Sequence, residues 1–408
     1  MTRQSTCASL RLILSAVLFA LIFAVGTTRS IQAQTFSVFH AFSGTDGSVP
    51  NGDLTKDFQG NYYGTAQLGG TASHGVVFKL DSSGNETVLY NFTGGADGSN
   101  PYGRLLLTHD GTIFGMTLAG GDPNCQCGTV FRLATNGNFK VLHTFLGGTD
   151  GAQNFAQPGG GLLRIGQDLY GVTYFGEDIT CDPGFGCGTI FKLTQSGQET
   201  ILHTFSGGSD GAFPRELIAD TAGNLYGVTE AAYSGVSVYG AVFKLDTNNQ
   251  LSVLYSFQNG NDGSYPYWRL TQGGNGILYG TTQRGGNTCS NGLCGVVFSL
   301  DTNTGTETVL HRFGIQPGDG AEPSGALLNT GGLIGTTWYG GKVNGVCPFG
   351  CGVVYQVTNS GYKLLHSFTG GVDGYSPNGA LLQDHRVLYG AAALGGSHNS
   401  GVIFRITH

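Results

Sequence analysis

The sequence predicts an all-β fold, a seven-bladed β-propeller in which each blade has four antiparallel strands. One unit occurs seven times, about 54 residues apart on average, which is within the range of propeller blades. Each unit holds four short segments rich in Val, Ile, Leu, Tyr, Phe and Thr, separated by clusters of Gly, Asn and Asp. The strand segments fill seven blades with none left over.

The four strands of a unit are clearest in unit four: strand a is ELIAD, strand b LYGVT, strand c GAVFKLD and strand d LSVLYSF. A GGxDGxxP turn joins each strand d to the next strand a, where Gly accepts positive φ, Asp bonds the turn backbone and Pro fixes the entry. Each strand d ends in a Phe, at Phe42, Phe92, Phe145, Phe205, Phe257, Phe313 and Phe368. The aromatics of the YGTT and GxVF strands also recur from unit to unit, so we expect them to pack between blades.

The order of the strands predicts how the ring closes. The repeat region begins with a lone strand d, from Thr35 to Phe42, and stops on a strand c at His408. Twenty-eight strands result, and the last blade lacks a strand d that the N-terminal strand can supply. Closure removes open sheet edges. We therefore favour a closed propeller over an open solenoid.

Residues 1–33 have the pattern of a secretory signal peptide. Arg3 and Arg11 precede an apolar run from Leu12 to Val25, and Ala33 is a small residue at a plausible cleavage point. The alternative is an N-terminal membrane anchor, for which the run is short. We expect one seven-repeat domain over 34–408, with no membrane span after signal removal and a secreted, extracellular or periplasmic location.

Charge argues against one class of partner. Without residues 1–33, the chain has 16 basic and 26 acidic side chains, a net charge of −10. A negative surface does not suit nucleic acid. The sequence indicates no cofactor, and we expect a monomer.

Eight of the nine cysteines form four close pairs, each between strands b and c of its unit, while Cys7 lies in the signal segment. The pairs are Cys125/Cys127, Cys181/Cys187, Cys289/Cys294 and Cys347/Cys351. An even number in an exported protein favours disulfides. The alternative, thiolate metal sites, needs four converging ligands, but whole units separate the pairs.

No metal site is predicted. Each DG turn supplies one acidic residue, which is too few for a strong calcium site. One position of strand d holds His or Tyr: His40, Tyr90, His143, His203, Tyr255, His311 and His366. The histidines lie in different units, so we expect them to pack in the core or turns rather than to converge on a metal.

One face is expected to carry the functional residues. In a propeller the d-to-a turns and b-to-c loops emerge on the same face, and variable loops on a rigid frame commonly bind ligands. Aromatic residues are concentrated there: Tyr102, Phe155, Tyr174, Phe175, Phe213, Tyr265, Tyr267, Trp268, Trp338 and Tyr339. Exposed rings stack on sugars or anchor a protein partner. Alternatively, these rings cover the tops of the blades.

A second set of candidate functional residues lies at the position just before the first Leu of strand a, where the units differ from one another. This position holds Asp53, Arg104, Gly161, Glu216, Arg269, Ala326 and Ala380. If strand a lines the channel, four blades place a charge near its mouth; the alternative is that these charges pair with one another or with solvent. The predicted binding residues are Asp53, Arg104, Glu216, Arg269, Trp268, Trp338, Tyr102 and Tyr267.

Support for catalysis is limited. No GxSxG, HExxH or paired-carboxylate motif stands out, and no catalytic residue is assigned. Asp53 and Glu216 would suit an acid and base pair for glycoside cleavage only if they faced each other. Propellers do host lyases and hydrolases. A carbohydrate-active enzyme at the channel mouth is therefore the alternative function, and a structural envelope or matrix component is the third.

The composite GGxDGxxP, LYGTT, GTVFKL and TVLHSF pattern over residues 35–408 resembles the GloVer tandem repeat of exported bacterial proteins, known from Gloeobacter and Verrucomicrobia. The resemblance implies an extracytoplasmic repeat protein and brings no catalytic residues. Family members often end in an anchoring segment, whereas this chain ends on its final strand. We expect a secreted or periplasmic binding scaffold whose partner is a glycan or a cell-surface protein.

Overall fold

A computed structural model of the chain describes residues 34–134, 136–147, 160–176, 181, 185–232, 238–286, 294–315 and 318–407. The predicted signal segment, residues 1–33, lies outside these ranges. Phe36–Thr407 form one compact unit. All regular elements in the described ranges are β-strands. No helix there is long and apolar enough to span a membrane.

Blades are numbered in chain order, and the chain enters through β1 (Thr35–Ala41). Blade one consists of β2 (Ser48–Lys56), β3 (Tyr62–Leu68), β4 (Val76–Leu80) and β5 (Glu86–Asn91). Blade two consists of β6 (Ser99–Leu107), β7 (Ile113–Ala119), β8 (Thr129–Leu133) and β9 (Phe139–Thr144). Blade three consists of β10 (Leu163–Ile165), β11 (Asp168–Thr173), β12 (Thr189–Leu193) and β13 (Glu199–Thr204).

In blades four to six, strand a is divided into two pieces. Blade four consists of β14 (Ala212–Pro214), β15 (Ile218–Ala219), β16 (Leu225–Ala231), β17 (Ala241–Leu245) and β18 (Leu251–Ser256). Blade five consists of β19 (Ser264–Pro266), β20 (Thr271–Gln272), β21 (Ile277–Arg284), β22 (Val296–Asp301) and β23 (Thr306–Arg312). Blade six consists of β24 (Gly320–Pro323), β25 (Leu328–Asn329), β26 (Leu333–Gly340), β27 (Val353–Thr358) and β28 (Gly361–Ser367).

Blade seven closes the ring. It consists of β29 (Tyr375–Asp384), β30 (Val387–Leu394) and β31 (Val402–Thr407), and its sheet order is β1-β31-β30-β29. The predicted seven-bladed propeller, with the N-terminal strand completing the last blade, is confirmed. The predicted 28 strands are 31 in the described residues, because three strands a are each split by a break that the sequence pattern did not reveal.

The d-to-a turns and the b-to-c loops lie on one face, as predicted, because they hydrogen-bond to each other. Gly70 N donates to Gly44 O at 2.9 Å, and Gly121 N donates to Gly95 O at 2.8 Å. The turn Asp also acts as expected. Asp97 Oδ2 accepts from the backbone N of Thr93 at 2.8 Å.

Pairs of aromatic rings join the blades. The Phe that ends each strand d is fully buried and packs on the strand-c ring of the next blade, with centroids 4.9–5.6 Å apart in all seven cases. Phe42 packs on Phe78 in this way, which joins the closing strand to blade one. The predicted inter-blade role of the GxVF aromatics is thus seen in every blade.

The recurring Gly of each strand b leaves room for the ring of the neighbouring strand c. A Cβ added at Gly227 would lie 2.5 Å from Phe243 Cζ and 3.2 Å from Leu217 Cδ2. Corresponding glycines meet a strand-c ring atom at similar distances in the other blades: Gly64, Gly115, Gly171, Gly280, Gly335 and Gly390. The recurring Gly is therefore required by packing.

Replacing Gly227 with Ala should lower the free energy of unfolding by about 1–3 kcal/mol, because the added methyl overpacks the core. Urea unfolding measures the change. Gly274→Ala is the control, since a Cβ there meets nothing within 4 Å. Equal midpoints for the two variants would contradict this packing argument.

A second contact recurs between neighbouring strands d. Where the turn Asp is among the described residues, the His or Tyr of one strand d meets the Asp of the turn that follows it. A residue at the start of the next strand d, four positions before the His or Tyr of that strand, belongs to the same joint between blades. In three joints this residue is an aromatic ring stacked on the His or Tyr: Phe139 on Tyr90 at 3.9 Å, Tyr362 on His311 at 4.4 Å and Phe36 on His366 at 3.8 Å. In three others it is a glutamate: Glu86, Glu199 and Glu307.

Glu307 should make stability fall with rising pH. Burial, and then the charge of Asp262, raise the pKa of Glu307 to about 7, although Arg312 acts to lower it. Tyr255, whose hydroxyl donates to Asp262 at 3.1 Å, also belongs to this joint. Between about pH 4.5 and 7 the folded chain therefore holds a proton that the unfolded chain releases.

Over that pH range the stability of the wild type should decrease, and Glu307→Gln should remove this part of the decrease. Urea midpoints measured from pH 5 to pH 8 provide the test. Parallel pH profiles for the variant and the wild type would contradict the assignment to Glu307.

Candidate binding site at the channel mouth

In six of the seven blades, strand a is interrupted in the described residues where it reaches the channel mouth. In blades one, two and seven its pairing with strand b shifts register between Asn51 and Thr55, Tyr102 and Leu106, and Asn378 and Leu382. In blades four to six the strand is broken outright. A bulge frees a residue from the ladder and redirects its side chain. The position singled out in the sequence falls inside the interruption at Asp53, Arg104, Glu216, Arg269, Ala326 and Ala380.

The four charged residues at this position form one network across the channel. Arg269 Nη2 lies 2.8 Å from Asp53 Oδ2, and Arg269 Nε lies 3.3 Å from Glu216 Oε1. Arg104 Nε lies 3.5 Å from the same Glu216 oxygen. Arg269 is in blade five and Asp53 in blade one, which are not neighbours in the ring, so their ion pair spans the channel. Of the possibilities considered from the sequence, the structure shows the one in which these charges pair with one another.

The network is held in place from the backbone. Ala380 N donates to Asp53 Oδ1 at 2.5 Å, which ties blade seven to blade one. Burial acts to lower the pKa of Arg269, but the carboxylates of Glu216 and Asp53 outweigh it and raise that pKa. Arg269 therefore stays charged.

Blade three has glycine, and therefore no side chain, at the position that holds a charged residue in blades one, two, four and five. A Cβ at Gly161 would lie 2.7 Å from Glu216 Oε1 and 3.0 Å from Arg104 Cβ. At Gly160 it would lie 2.8 Å from Glu216 Cβ. The absence of side chains at these two glycines lets Arg104 and Glu216 meet.

Arg215, which the sequence analysis missed, lies beside the network. Its side chain is only 7% exposed, and its Nη2 lies 2.5 Å from Glu230 Oε2. The guanidinium carbon is 4.0 Å from the centroid of the Tyr174 ring and 3.6 Å from that of Tyr267. Burial opposes the charge on Arg215, yet Tyr267, Glu230 and Tyr174 together raise its pKa. Arg215 is a buried cation held between two rings and a carboxylate.

A signal for Arg215 was present in the repeat. The residue after the turn Pro is Asn51, Tyr102, Gly159, Arg215, Tyr267, Ser324 and Asn378 along the chain, so Arg215 is the charged member of that column. Glu230, at the end of β16, carried no comparable signal. Tyr174 joins the two, since its hydroxyl donates to Glu230 Oε2 at 2.8 Å.

Four aromatic residues predicted for the site lie around the network. Trp268 and Trp338 have ring centroids 5.8 Å apart, and Tyr267 lies 4.9 Å from Trp268 and 6.2 Å from Trp338. Trp268 Nε1 donates to Pro323 O at 2.8 Å, which fixes its orientation. Burial, and then Tyr267, raise the pKa of Tyr102 well above its usual value. All four residues are partly exposed.

The eight predicted binding residues thus come together at one place. Seven of them line a central cavity of about 30 Å³, and Trp338 contacts two of the seven. That volume holds about two water molecules. Together with Arg215 and Glu230, the site has three arginines and three carboxylates, so its side-chain charge is balanced. We call the partly exposed rings of Tyr267, Trp268 and Trp338 the aromatic rim.

The other aromatics predicted for this face pack locally. Phe175 contacts Tyr174 at 4.6 Å and Phe213 at 5.6 Å, and Tyr339 contacts Phe349 at 6.2 Å. Tyr265 lies under the guanidinium of Arg284 at 5.2 Å. Phe155 lies outside the described residues. Phe175, Tyr339 and Tyr265 therefore pack on neighbouring side chains of this face, as expected of rings that cover the tops of the blades.

Disulfides are found on the same face. Cys125 is bonded to Cys127, Cys181 to Cys187, and Cys347 to Cys351, as the sequence predicted. Cys294 is disulfide-bonded as well, whereas Cys289, its predicted partner, lies outside the described residues.

A groove on the opposite face was not predicted. The a-to-b turns of blades one and two border about 530 Å³ of space that includes Phe58, Asp57 and His109. Phe58 is 82% exposed and its ring centroid lies 4.8 Å from that of His109. Asp57 instead caps its own turn by accepting from Asn61 and Tyr63. Phe58 provides an exposed ring remote from the channel mouth.

Solved structures with a similar fold include enzymes. Virginiamycin B lyase from Staphylococcus aureus has a TM-score of 0.59 and 13% identity over 92% of this chain and 99% of its own. An oligogalacturonate lyase in complex with manganese has a TM-score of 0.55 and 11% identity, covering 92% of this chain and 96% of its own. Oligogalacturonate lyase from Vibrio parahaemolyticus has a TM-score of 0.53 and 9% identity, covering 92% and 97%. At these identities the likeness shows the fold alone.

Sequence comparison identifies the repeat. No curated protein gives a significant match. The sequence profile of the Gloeobacter/Verrucomicrobia repeat matches residues 22–233 and 153–349, which together cover most of the chain. The chain therefore belongs to the Gloeobacter/Verrucomicrobia repeat family.

Proposed function

We propose that this protein is a non-catalytic, extracytoplasmic binding scaffold that takes a glycan on the aromatic rim of the channel mouth. The observation that carries the proposal is the convergence of both tryptophans of the chain, with Tyr267, around a charge-balanced polar cluster. Aromatic faces pack on the apolar faces of sugars, and nearby polar groups orient the hydroxyls. An even mixture of arginines and carboxylates suits a neutral sugar.

The size of the central cavity supports binding over the rim rather than inside the channel. A cavity with room for about two waters does not admit a sugar ring. Asp53 and Glu216 each contact Arg269, which occupies the space between them. In this arrangement neither carboxylate is free to act on a substrate, which favours a scaffold over an enzyme.

The disulfides and the N-terminal sequence support the proposed location. Thiol pairs persist as disulfides in oxidising compartments. The predicted signal segment at residues 1–33 would direct the chain there. We therefore propose a location in the periplasm or outside the cell.

A glycan array, with mass spectrometry of the same samples, tests the proposal. We expect retention of one group of neutral glycans with no shortened products. Trp338→Ala should weaken binding by about 30-fold, the effect of a hot-spot ring worth about 2 kcal/mol. Phe58→Ala is the matched control, because it removes an exposed ring from the opposite face.

The other outcomes overturn the proposal in different ways. Shortened glycans would identify an enzyme, and loss of turnover in Glu216→Gln would place its site in the channel mouth. Binding that Phe58→Ala abolishes and Trp338→Ala leaves intact would move the site to the opposite face. No retained glycan at all would favour a structural envelope role or a protein partner.

A further inference from the structure

The joint between blade seven and blade one brings a histidine and two carboxylates together. His40 lies on β1, Asp46 in the turn that follows, and Glu86 at the start of β5. His40 Nε2 lies 3.3 Å from Glu86 Oε2 and 3.6 Å from Asp46 Oδ2. One donor atom from each residue lies within 4.8 Å of the other two. This is the joint at which the ring closes.

The partners of these side chains leave their facing atoms uncommitted. Ser43 N and Ser43 Oγ donate to Asp46 Oδ1, so Asp46 Oδ2 is free to point at His40. The Glu86 side chain is 8% exposed, and its Oε1 is buried without a hydrogen-bond partner. His40 Nε2 also makes no hydrogen bond of good geometry. A buried carboxylate oxygen with no partner is costly.

The fold does not require a glutamate at this joint. Where the corresponding residue is Phe139, Tyr362 or Phe36, a ring stacks on the His or Tyr and no second carboxylate is present. With a neutral His40, the cluster carries two negative charges, one of them on the buried side chain of Glu86. Among the described residues, the ion pairs of Glu86 and Asp46 are with His40, and no lysine or arginine neutralises them.

We propose that His40, Asp46 and Glu86 bind a zinc ion that fastens the closing strand to blade one. One imidazole nitrogen and two carboxylate oxygens are a ligand set that zinc accepts, with water in the fourth position. Tetrahedral bonds of about 2.1 Å place neighbouring ligand atoms about 3.4 Å apart. The observed separations of 3.3 and 3.6 Å bracket that value. A divalent cation also balances the two carboxylates.

The sequence predicted no metal site, because the histidines of different units do not converge. At this joint, however, His40 meets the carboxylate of its own turn and also that of the next strand d. A related pair occurs once more, since His143 Nε2 lies 3.6 Å from Glu199 Oε2. The turn residue of that joint, Asp150, lies outside the described residues. The zinc bound at the His40 joint is therefore measured as the difference in zinc stoichiometry between the wild type and a variant of this joint.

Zinc titration of the chelator-treated, dialysed protein tests the proposal, with calorimetry for stoichiometry and thermal unfolding for stabilisation. We expect Glu86→Gln, His40→Gln and Asp46→Asn each to lose one equivalent of zinc relative to the wild type. The affinity at this joint should fall by about a hundredfold or more, because even the outer partners of metal ligands contribute 10–100-fold. Zinc should raise the melting temperature of the wild type more than that of the variants.

His203→Gln is the matched control. His203 also meets a turn carboxylate, Asp210 at 3.3 Å, but the first residue of the next strand d is Leu251. It should bind as much zinc as the wild type. Circular dichroism checks folding, and three separate ligand variants keep the test valid if one fails to fold. Equal zinc stoichiometry in the wild type and the folded variants would overturn the proposal, whatever the outcome of the glycan experiments.

Discussion

Replacing Arg269 with Gln is expected to lower the free energy of unfolding by about 3 kcal/mol. Arg269 is the group through which blade five contacts Asp53 across the channel and Glu216 beside it. Asp53 and Glu216 are 13% and 12% exposed, so removing the cation leaves two largely buried carboxylates with less compensation. Breaking a buried pair from one side typically costs about 3–5 kcal/mol, and partial exposure places this one at the low end. Urea unfolding followed by far-ultraviolet circular dichroism measures it.

Two further variants separate the network from a general packing defect. The double variant with Asp53→Asn and Arg269→Gln should recover part of the loss, because it also removes the orphaned charge. Arg104→Gln should cost about 1 kcal/mol or less, since Arg104 is more exposed and Glu216 keeps Arg269. A double variant as unstable as the sum of its single changes would contradict the coupling.

Replacing residues 35–42 with a glycine-serine segment of equal length is expected to abolish cooperative folding. Phe36 stacks on His366 at 3.8 Å and contacts Phe404 at 5.6 Å, while Phe39 contacts Tyr62 at 5.7 Å in blade one. Removing a buried Phe costs about 3–5 kcal/mol. With Phe39 and Phe42 both buried, their loss approaches the whole stability of a typical domain, about 5–15 kcal/mol.

A peptide of residues 34–43 supplied in trans should restore the fold of this variant by adding a strand to the open edge of β31. Recovery of a single unfolding transition on peptide addition is the measurement. A peptide with Phe36→Ala and Phe39→Ala should fail to restore it. A variant that unfolds cooperatively without any peptide would show that β1 is not needed for closure.

Most of the fold was predictable because the same strand and turn patterns occur in all seven units. The recurring Phe at the end of strand d and the aromatic ring of strand c identified the contacts between blades. The lone strand before the first DG turn predicted the closure, because seven blades of four strands leave one place for it. The interruption of strand a was not predictable, since the residues after the turn Pro share no sequence signature across all the blades. A Gly lies two residues after this Pro in five blades, for example Gly103, Gly325 and Gly379, but blades four and five have no Gly there.

The candidate site was predicted in part. Asp53, Arg104, Glu216 and Arg269 were visible because they break a repeated column, but their mutual contacts depend on how far each bulge turns its side chain. Arg215 breaks the neighbouring column, which consists of the residues that follow the turn Pro. Glu230 lies at the end of strand b, where loop sequences vary in every unit, so no pattern singled it out. The contact of Glu86 with His40 joins two strands d that lie a whole unit apart.

The channel charges are held by contacts on several sides, whereas the residues of the aromatic rim above them are partly exposed. Arg269 and Asp53 link distant blades, and Arg215 is held between Tyr174 and Tyr267. Tyr267, Trp268 and Trp338 are partly exposed over this base. Rings supported in this way lose little conformational entropy on binding, which favours affinity.

Tryptophan fluorescence during titration with a glycan retained on the array tests the central claim most directly. Trp268 and Trp338 are the two tryptophans of the chain, and both belong to the aromatic rim, so emission reports on this site alone. We predict a saturable change in emission whose midpoint equals the dissociation constant from calorimetry, in the wild type and in Phe58→Ala. Calorimetric binding with unchanged tryptophan emission would place the ligand elsewhere and contradict the account.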